Sequence, residues 1–192
     1  MKLLEEKILR CGQVLPGEIL KVDGFLNHQM DVDLITELGR EFYHLFSSYP
    51  ISKILTVEAS GIAIAFAAAQ FFHVPLVFAK KGVNKNVGND VYTADIFSYT
   101  KGFSTAVSVS KKYLNADDTV LIIDDFLANG AAVEGLMQIL SLAGASLAGV
   151  GVAIEKGFQP GGKRLRERGI KVESLAIVDS MTDTSISFRT SD

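Results

Sequence analysis

Val120-Leu121-Ile122-Ile123-Asp124-Asp125-Phe126-Leu127-Ala128-Asn129-Gly130-Ala131-Ala132 joins an apolar run, two acids and a small-residue turn in one stretch. Four apolar side chains without alternation suit a strand covered on both faces, the habit of parallel sheets in α/β proteins. Asp124 and Asp125 then fall at its carboxyl end, where open α/β sheets bind their ligands. Ala128 to Ala132 carry almost no side-chain bulk, so successive backbone N–H groups have access to an anion. Val133, Leu136, Met137 and Leu140 follow as a helical apolar stripe. The pattern predicts a phosphate cradle on a helix N-terminus. Taken singly, Asp-Asp is a common strand ending and Asn129-Gly130 a common turn. Their order is what points to a phosphorylated ligand whose hydroxyls the acids hold. No Gly-x4-Gly-Lys-Ser/Thr loop occurs, and Gly149-Val150-Gly151 lacks the third glycine of a dinucleotide fingerprint.

Upstream, the chain repeats this grammar. Residues 53–57 read as a strand that ends in Glu58-Ala59-Ser60-Gly61, again a small polar turn before a helix, here over 62–72. A strand over 76–79 follows Pro75 and closes a βαβ unit. Asp31 is a plausible N-cap for a helix in which Leu34, Ile35, Leu38, Phe42, Leu45 and Phe46 recur at helical spacing. Residues 80–90 hold two glycines, three lysines and no apolar periodicity, which predicts a long, mobile loop. Two strands, over 91–98 and 105–110, flank Lys101-Gly102. Downstream come a buried strand over 146–154, ending at Glu155-Lys156-Gly157-Phe158, a short basic helix over 161–169, and a last major strand over 172–178. The alternation predicts one α/β domain with an N-terminal extension folded over it.

Composition narrows the function. The 192 residues suffice to bury a core without disulfides or metal. Lone Cys11 makes no intrachain bridge, no Asn-x-Ser/Thr acceptor is present, and a reducing cytoplasm is the natural compartment. A net charge of −3 argues against a partner bound mainly through nucleic-acid phosphates. The segment over 61–79 is apolar, but Gln70, His73 and Pro75 interrupt it, which argues against a membrane span. His28, His44 and His73 lack metal-ligand spacing. Other residues leave alternatives open on spacing alone: Asn27 reads as a turn residue, Lys156 as a solvated strand end, and Lys80 and Lys81 as a surface pair.

The acid pair with its small loop, the turn 58–61 and the lysine-bearing loop resemble the type I phosphoribosyltransferases over about four fifths of the chain. Three separate blocks resemble the bacterial xanthine branch of that family: Leu20-Lys21-Val22-Asp23-Gly24-Phe25-Leu26-Asn27-His28-Gln29, Leu127-Ala128-Asn129-Gly130 and Ile154-Glu155-Lys156-Gly157-Phe158-Gln159-Pro160-Gly161. The resemblance implies a mainly parallel twisted sheet flanked by helices, with residues 1–30 as a small hood, 31–192 as the core and 81–91 as a mobile loop. It implies transfer of the phosphoribosyl group of 5-phosphoribosyl-1-diphosphate (PRPP) to xanthine, with Mg²⁺ on the diphosphate, in a cytoplasmic homodimer that binds neither nucleic acid nor membrane.

By that resemblance Asp124 and Asp125 hold the ribose hydroxyls, and Ala128, Asn129, Gly130, Ala131 and Ala132 hold the 5-phosphate. Glu58, Ala59, Ser60 and Gly61 present N–H groups to the diphosphate, and Lys80 or Lys81 covers it. Lys156 donates to the 6-oxo group of the base, Asn27 to its 2-oxo group, Leu20 supports it and Phe158 stacks on it. One departure is visible: the phosphate loop lacks the threonines common in the wider family, so backbone N–H groups and the helix dipole must carry more of the binding. Two other readings remain, the same reaction with hypoxanthine or guanine, and a PRPP-sensing regulator. The short stretch ahead of the first core helix leaves little room for a DNA-binding domain.

Overall fold

The computed structural model describes residues 1–82, 90–98, 103–182 and 185–189. Helix α1 (Lys2–Cys11) leads into a hairpin of β1 (Gln13–Leu15) and β2 (Ile19–Lys21), then a π-helical turn, Asp23–Asn27. The core elements are α2 (Val32–Phe46), β3 (Lys53–Val57), α3 (Ile62–Phe72), β4 (Leu76–Lys81), β5 (Val91–Ser98), β6 (Phe103–Ser110), β7 (Thr119–Leu127), α4 (Ala131–Ala143), β8 (Ser146–Lys156), α5 (Pro160–Glu167), β9 (Val172–Thr182) and β10 (Ser185–Phe188).

One sheet runs in the order β10-β9-β8-β7-β3-β4-β6-β5. Its central five strands are parallel, and the β5–β6 hairpin and β10 pair antiparallel at its edges. The run β3–α3–β4 steps one way along the sheet, and β7–α4–β8–α5–β9 steps the other. Right-handed crossovers then place α3 and α4 on opposite faces. Two cores result. Ile64 and Ala68 of α3 pack with Leu38 and Phe42 of α2 and Leu4 and Ile8 of α1; Leu136 and Ile139 of α4 pack with Leu55, Ile122 and Val109. The reversal lies between β3 and β7, the place where an open α/β sheet leaves a crevice beyond its strand ends.

Local signals explain most boundaries. Asp31 caps α2 as its position predicts, its Oδ1 accepting from Leu34 N at 3.2 Å. Pro160 opens α5, where its missing N–H is no loss. Left-handed Gly144 closes α4. Gly39 lets α2 approach α3, because a side chain there would meet the Ala67 and Ala68 backbone at 2.5 to 2.7 Å. Some elements exceed their sequence expectation: β7 continues through Leu127, so both acids lie within the strand instead of beyond it, and β8 includes Glu155 and Lys156. The hairpin β1–β2 and edge strand β10 were not expected. Of the predicted loop over 81–91, Lys81 ends β4 and Val91 begins β5, while 83–89 lie outside the described residues. Among the described residues, no helix is long and apolar enough to cross a membrane.

Candidate active site

The turn after β3 and the acids of β7 meet at the reversal point. The Glu58–Ala59 peptide is cis, Glu58 N donates to Ala79 O at 3.0 Å, and the Glu58 carboxylate accepts from Lys81 N at 2.6 Å. The turn is thereby tied to the end of β4. Gly61 then lies against β7: a side chain there would overlap Thr56 Oγ1 and begin 2.8 Å from Asp124 Oδ1. Ala59 is exposed, and Glu58 and Ser60 are partly so.

Asp124 and Asp125 are both buried. Asp124 Oδ1 accepts from Asp125 N at 2.9 Å, and Asp125 Oδ2 accepts from Asn27 Nδ2 at 2.9 Å. Burial, followed by the charge of Asp125, holds the Asp124 carboxyl well above the usual carboxylate range, and the Lys81 ammonium partly opposes this. The two lysines offered by the sequence therefore separate. Strand alternation turns Lys80 the other way, into a groove of about 470 Å³ that it lines with Lys53, Phe78, Ser108 and Tyr113. Lys81 is the one whose charge acts on Asp124.

Beyond β7, Gly130 adopts φ +88° as the N-cap of α4. Asn129 Oδ1 accepts from Ala131 N at 3.1 Å, so one N–H assigned to phosphate is already held by the loop itself. Other N–H groups of the first helical turn have no intrahelical acceptor and remain the anion-binding donors. Helix α5 braces the loop from outside. Gly161 N donates to Ala128 O at 3.0 Å, and an Arg164 guanidinium nitrogen donates to Asn129 O at 2.5 Å. A side chain at Gly161 would meet Asn129 C and Gly130 N, both at 2.7 Å, so Gly161 is bare because two backbones pass there. Sequence reasoning missed this brace, although two successive glycines at a helix start are its visible trace.

Of the expected base residues, Asn27 bonds to Asp125 and Lys156 lies on β8, the strand beside β7. Lys156 ends β8 and is partly buried; its Nζ donates to Glu18 O at 2.7 Å, in the β1–β2 turn. Burial lowers its pKa, and the Glu18 carboxylate opposes that shift. Asn27 ends the π-helical turn, so the hood grips the core through Asn27–Asp125 and Lys156–Glu18. Phe158 is partly buried against the α2 core. The Leu20 side chain is itself core, 7 % exposed. Beside Lys156, buried Glu155 accepts a bidentate pair from Arg166 at 2.8 and 2.7 Å and a short bond from Ser174 Oγ. The guanidinium and hydroxyl hold Glu155 below its usual range against its burial. A side chain at Gly162 would overlap this carboxylate. Among the described residues, no group of three or more His, Cys, Asp or Glu is placed to hold a metal ion.

The arrangement thus brings the turn after β3 to the acids of β7, with the small loop 128–132 following β7 and Asn27 bonded to Asp125. Residues 24–185 match the phosphoribosyl transferase domain family. The chain is 56 % identical to a xanthine phosphoribosyltransferase of Ruminiclostridium cellulolyticum over 98 % of this chain and 99 % of that one. It is 55 % identical to one of Lacticaseibacillus casei over the full length of both. Among solved structures, an adenine phosphoribosyl transferase of Trypanosoma brucei in complex with AMP, pyrophosphate and ribose-5-phosphate matches with a TM-score of 0.76, covering 91 % of this chain and 78 % of that one at 17 % identity. The adenine enzyme of Leishmania tarentolae matches with a TM-score of 0.74 over 94 % and 89 % at 14 % identity. At those identities the structures speak for the fold, while the sequence relatives speak for the branch. The chain belongs to the phosphoribosyltransferase family, with the type I fold, and within it to the xanthine phosphoribosyltransferases.

Proposed function

We propose that the protein transfers the 5-phosphoribosyl group of PRPP to xanthine, giving xanthosine 5'-monophosphate and diphosphate. The observation that carries this is the approach of the 58–61 turn to the acid pair of β7, which runs into the 128–132 loop, with Asn27 bonded to Asp125 and Lys156 on the neighbouring strand β8. As diphosphate departs, the anomeric carbon becomes cation-like while negative charge gathers on the leaving group. Asp124 and Asp125 hold the ribose hydroxyls and favour the positive end. N–H groups of the 58–61 turn and the Lys81 ammonium face the negative end. The loop 128–132 fixes the 5-phosphate, so that the sugar carbon alone moves.

Magnesium fits as a companion of the diphosphate. Mg²⁺ keeps waters and phosphate oxygens in preference to an all-protein cage. When bound it supplies charge neutralisation on the leaving group. The chain's own residues act on the sugar and the base.

For the base, Lys156 donates to the 6-oxo group and would repel the 6-amino group of adenine. Asn27 donates to the 2-oxo group, an acceptor that hypoxanthine lacks. Both donors are held by protein acceptors without a ligand, and the base exchanges for those acceptors. Residues 1–30 act as the hood and 31–192 as the core of one cytoplasmic enzyme. A homodimer belongs to this reading: Phe66, Phe78 and Tyr113 are exposed apolar side chains, and Phe66 and Phe78 share the α3 face of the sheet. Sedimentation at micromolar concentration should give a dimer, and a monomer would contradict that part. For the reaction, incubation with PRPP, Mg²⁺ and xanthine should release one diphosphate per nucleotide formed; PRPP binding without nucleotide formation would favour a regulator instead.

A further inference from the structure

Among the described residues, one buried side-chain polar atom has no hydrogen-bond partner: Thr56 Oγ1, on a residue with no exposed surface. Its neighbours along β3 are Ile54, Leu55 and Val57, where a valine would fill the same volume without desolvating a hydroxyl. Native proteins seldom keep such an orphan without use for it. Its position supplies the use. Thr56 Oγ1 and Asp124 Oδ1 both border the point where a side chain at Gly61 would begin, overlapping the first and 2.8 Å from the second, so only a bare glycine lets the two oxygens lie this near one another.

We propose that Thr56 is a positioning residue for Asp124, its hydroxyl donating to the Asp124 carboxylate once that group is ionised against the bound sugar. The groups around Asp124 leave this donor wanting. Asp125 follows it on β7 and repels its charge, the Lys81 ammonium acts from the end of β4, and the Glu58 carboxylate is engaged with Lys81 N. Asp125 N is the donor that Asp124 Oδ1 already has. Burial and Asp125 both favour the neutral carboxyl, whereas the cation-like sugar needs the carboxylate. A hydroxyl that carries no charge of its own lowers the penalty for ionising without adding a permanent cation beside the sugar.

The inference rests on the phosphoribosyl-transfer reading, and the two fail differently. Thr56→Val and Thr56→Ser are compared with the parent for thermal midpoint, for kcat and KM with PRPP and xanthine, and for the pH profile of kcat. Thr56→Val should keep or raise the thermal midpoint while kcat falls about tenfold with both KM values within about twofold. Its acidic limb should move up by about one pH unit. Thr56→Ser should stay within about threefold of the parent and keep its pH profile. A valine variant with the parental kcat and pH profile would overturn the proposal, and so would one whose activity falls only with a lower midpoint. An inactive parent protein would overturn the function reading and this inference together.

Discussion

The two sides of the acid pair are built differently. On the sugar side, the 58–61 turn and the 128–132 loop grow directly out of β3 and β7, and Gly61 and Gly161 mark where neighbouring atoms leave no room for a Cβ. On the base side, the hood packs Leu4, Ile8 and Phe25 into the core and reaches the strand ends through side-chain bonds, Asn27 to Asp125 and Lys156 to Glu18. One half is fixed by backbone in a sheet, the other by side-chain bonds that, in the proposed function, the base exchanges. The difference assigns chemistry to the rigid half and choice of base to the exchangeable half.

Asp124→Asn breaks the rigid half most severely. It should lower kcat by about 10²- to 10³-fold while raising the thermal midpoint at neutral pH. The sign follows from the raised carboxyl: a group held above its ordinary range contributes stability at low pH and loses it as pH rises, so the parent bears a penalty at neutrality that the amide lacks. A lower midpoint would contradict the burial argument.

Glu155→Ala tests the floor beneath Lys156. Removing the carboxylate strands Arg166, which is partly exposed, so the loss of stability should lie near about 3 kcal/mol, the lower end for a broken buried pair. In the parent, Glu155 sits below its ordinary range; its contribution is present at neutral pH and disappears as pH falls through that lowered value. Denaturant titrations should therefore show the parent losing its advantage over the variant in acid.

Gly161→Ala presses the brace against the phosphate loop. It should cost about 1–3 kcal/mol of stability and raise the KM for PRPP about tenfold, with the xanthine-to-hypoxanthine ratio unchanged. A changed ratio would mean that the halves are not separable. Asn27→Ala makes the converse test and the smallest change: xanthine should lose about tenfold more than hypoxanthine in kcat/KM. Equal losses would remove the 2-oxo assignment and leave Asn27 as a support for Asp125.

The sequence made the rigid half legible because each of its parts leaves a local trace. The apolar runs 53–57 and 120–123 announced central strands, and the small turns after them announced the entries to α3 and α4. Asp31 announced the start of α2. What the residues concealed is long-range. The β1–β2 hairpin has strands of three residues each, too short for alternation to register. The Asn27–Asp125 bond joins residues 98 apart in sequence, and nothing local marks either as a partner of the other. The difference between Lys80 and Lys81 depends on how far β4 runs, because strand alternation through Lys81 turns the two side chains to opposite faces. Thr56 reads as an ordinary β-branched strand residue until its hydroxyl is found without a partner beside Asp124.

The most direct test of this division is kcat/KM of the parent protein with PRPP and Mg²⁺ for xanthine, hypoxanthine, guanine and adenine under one set of conditions. The account predicts xanthine first, hypoxanthine and guanine lower by about tenfold or more, and adenine lowest. Equal or greater turnover of hypoxanthine would contradict the roles of Asn27 and Lys156 in choosing the base.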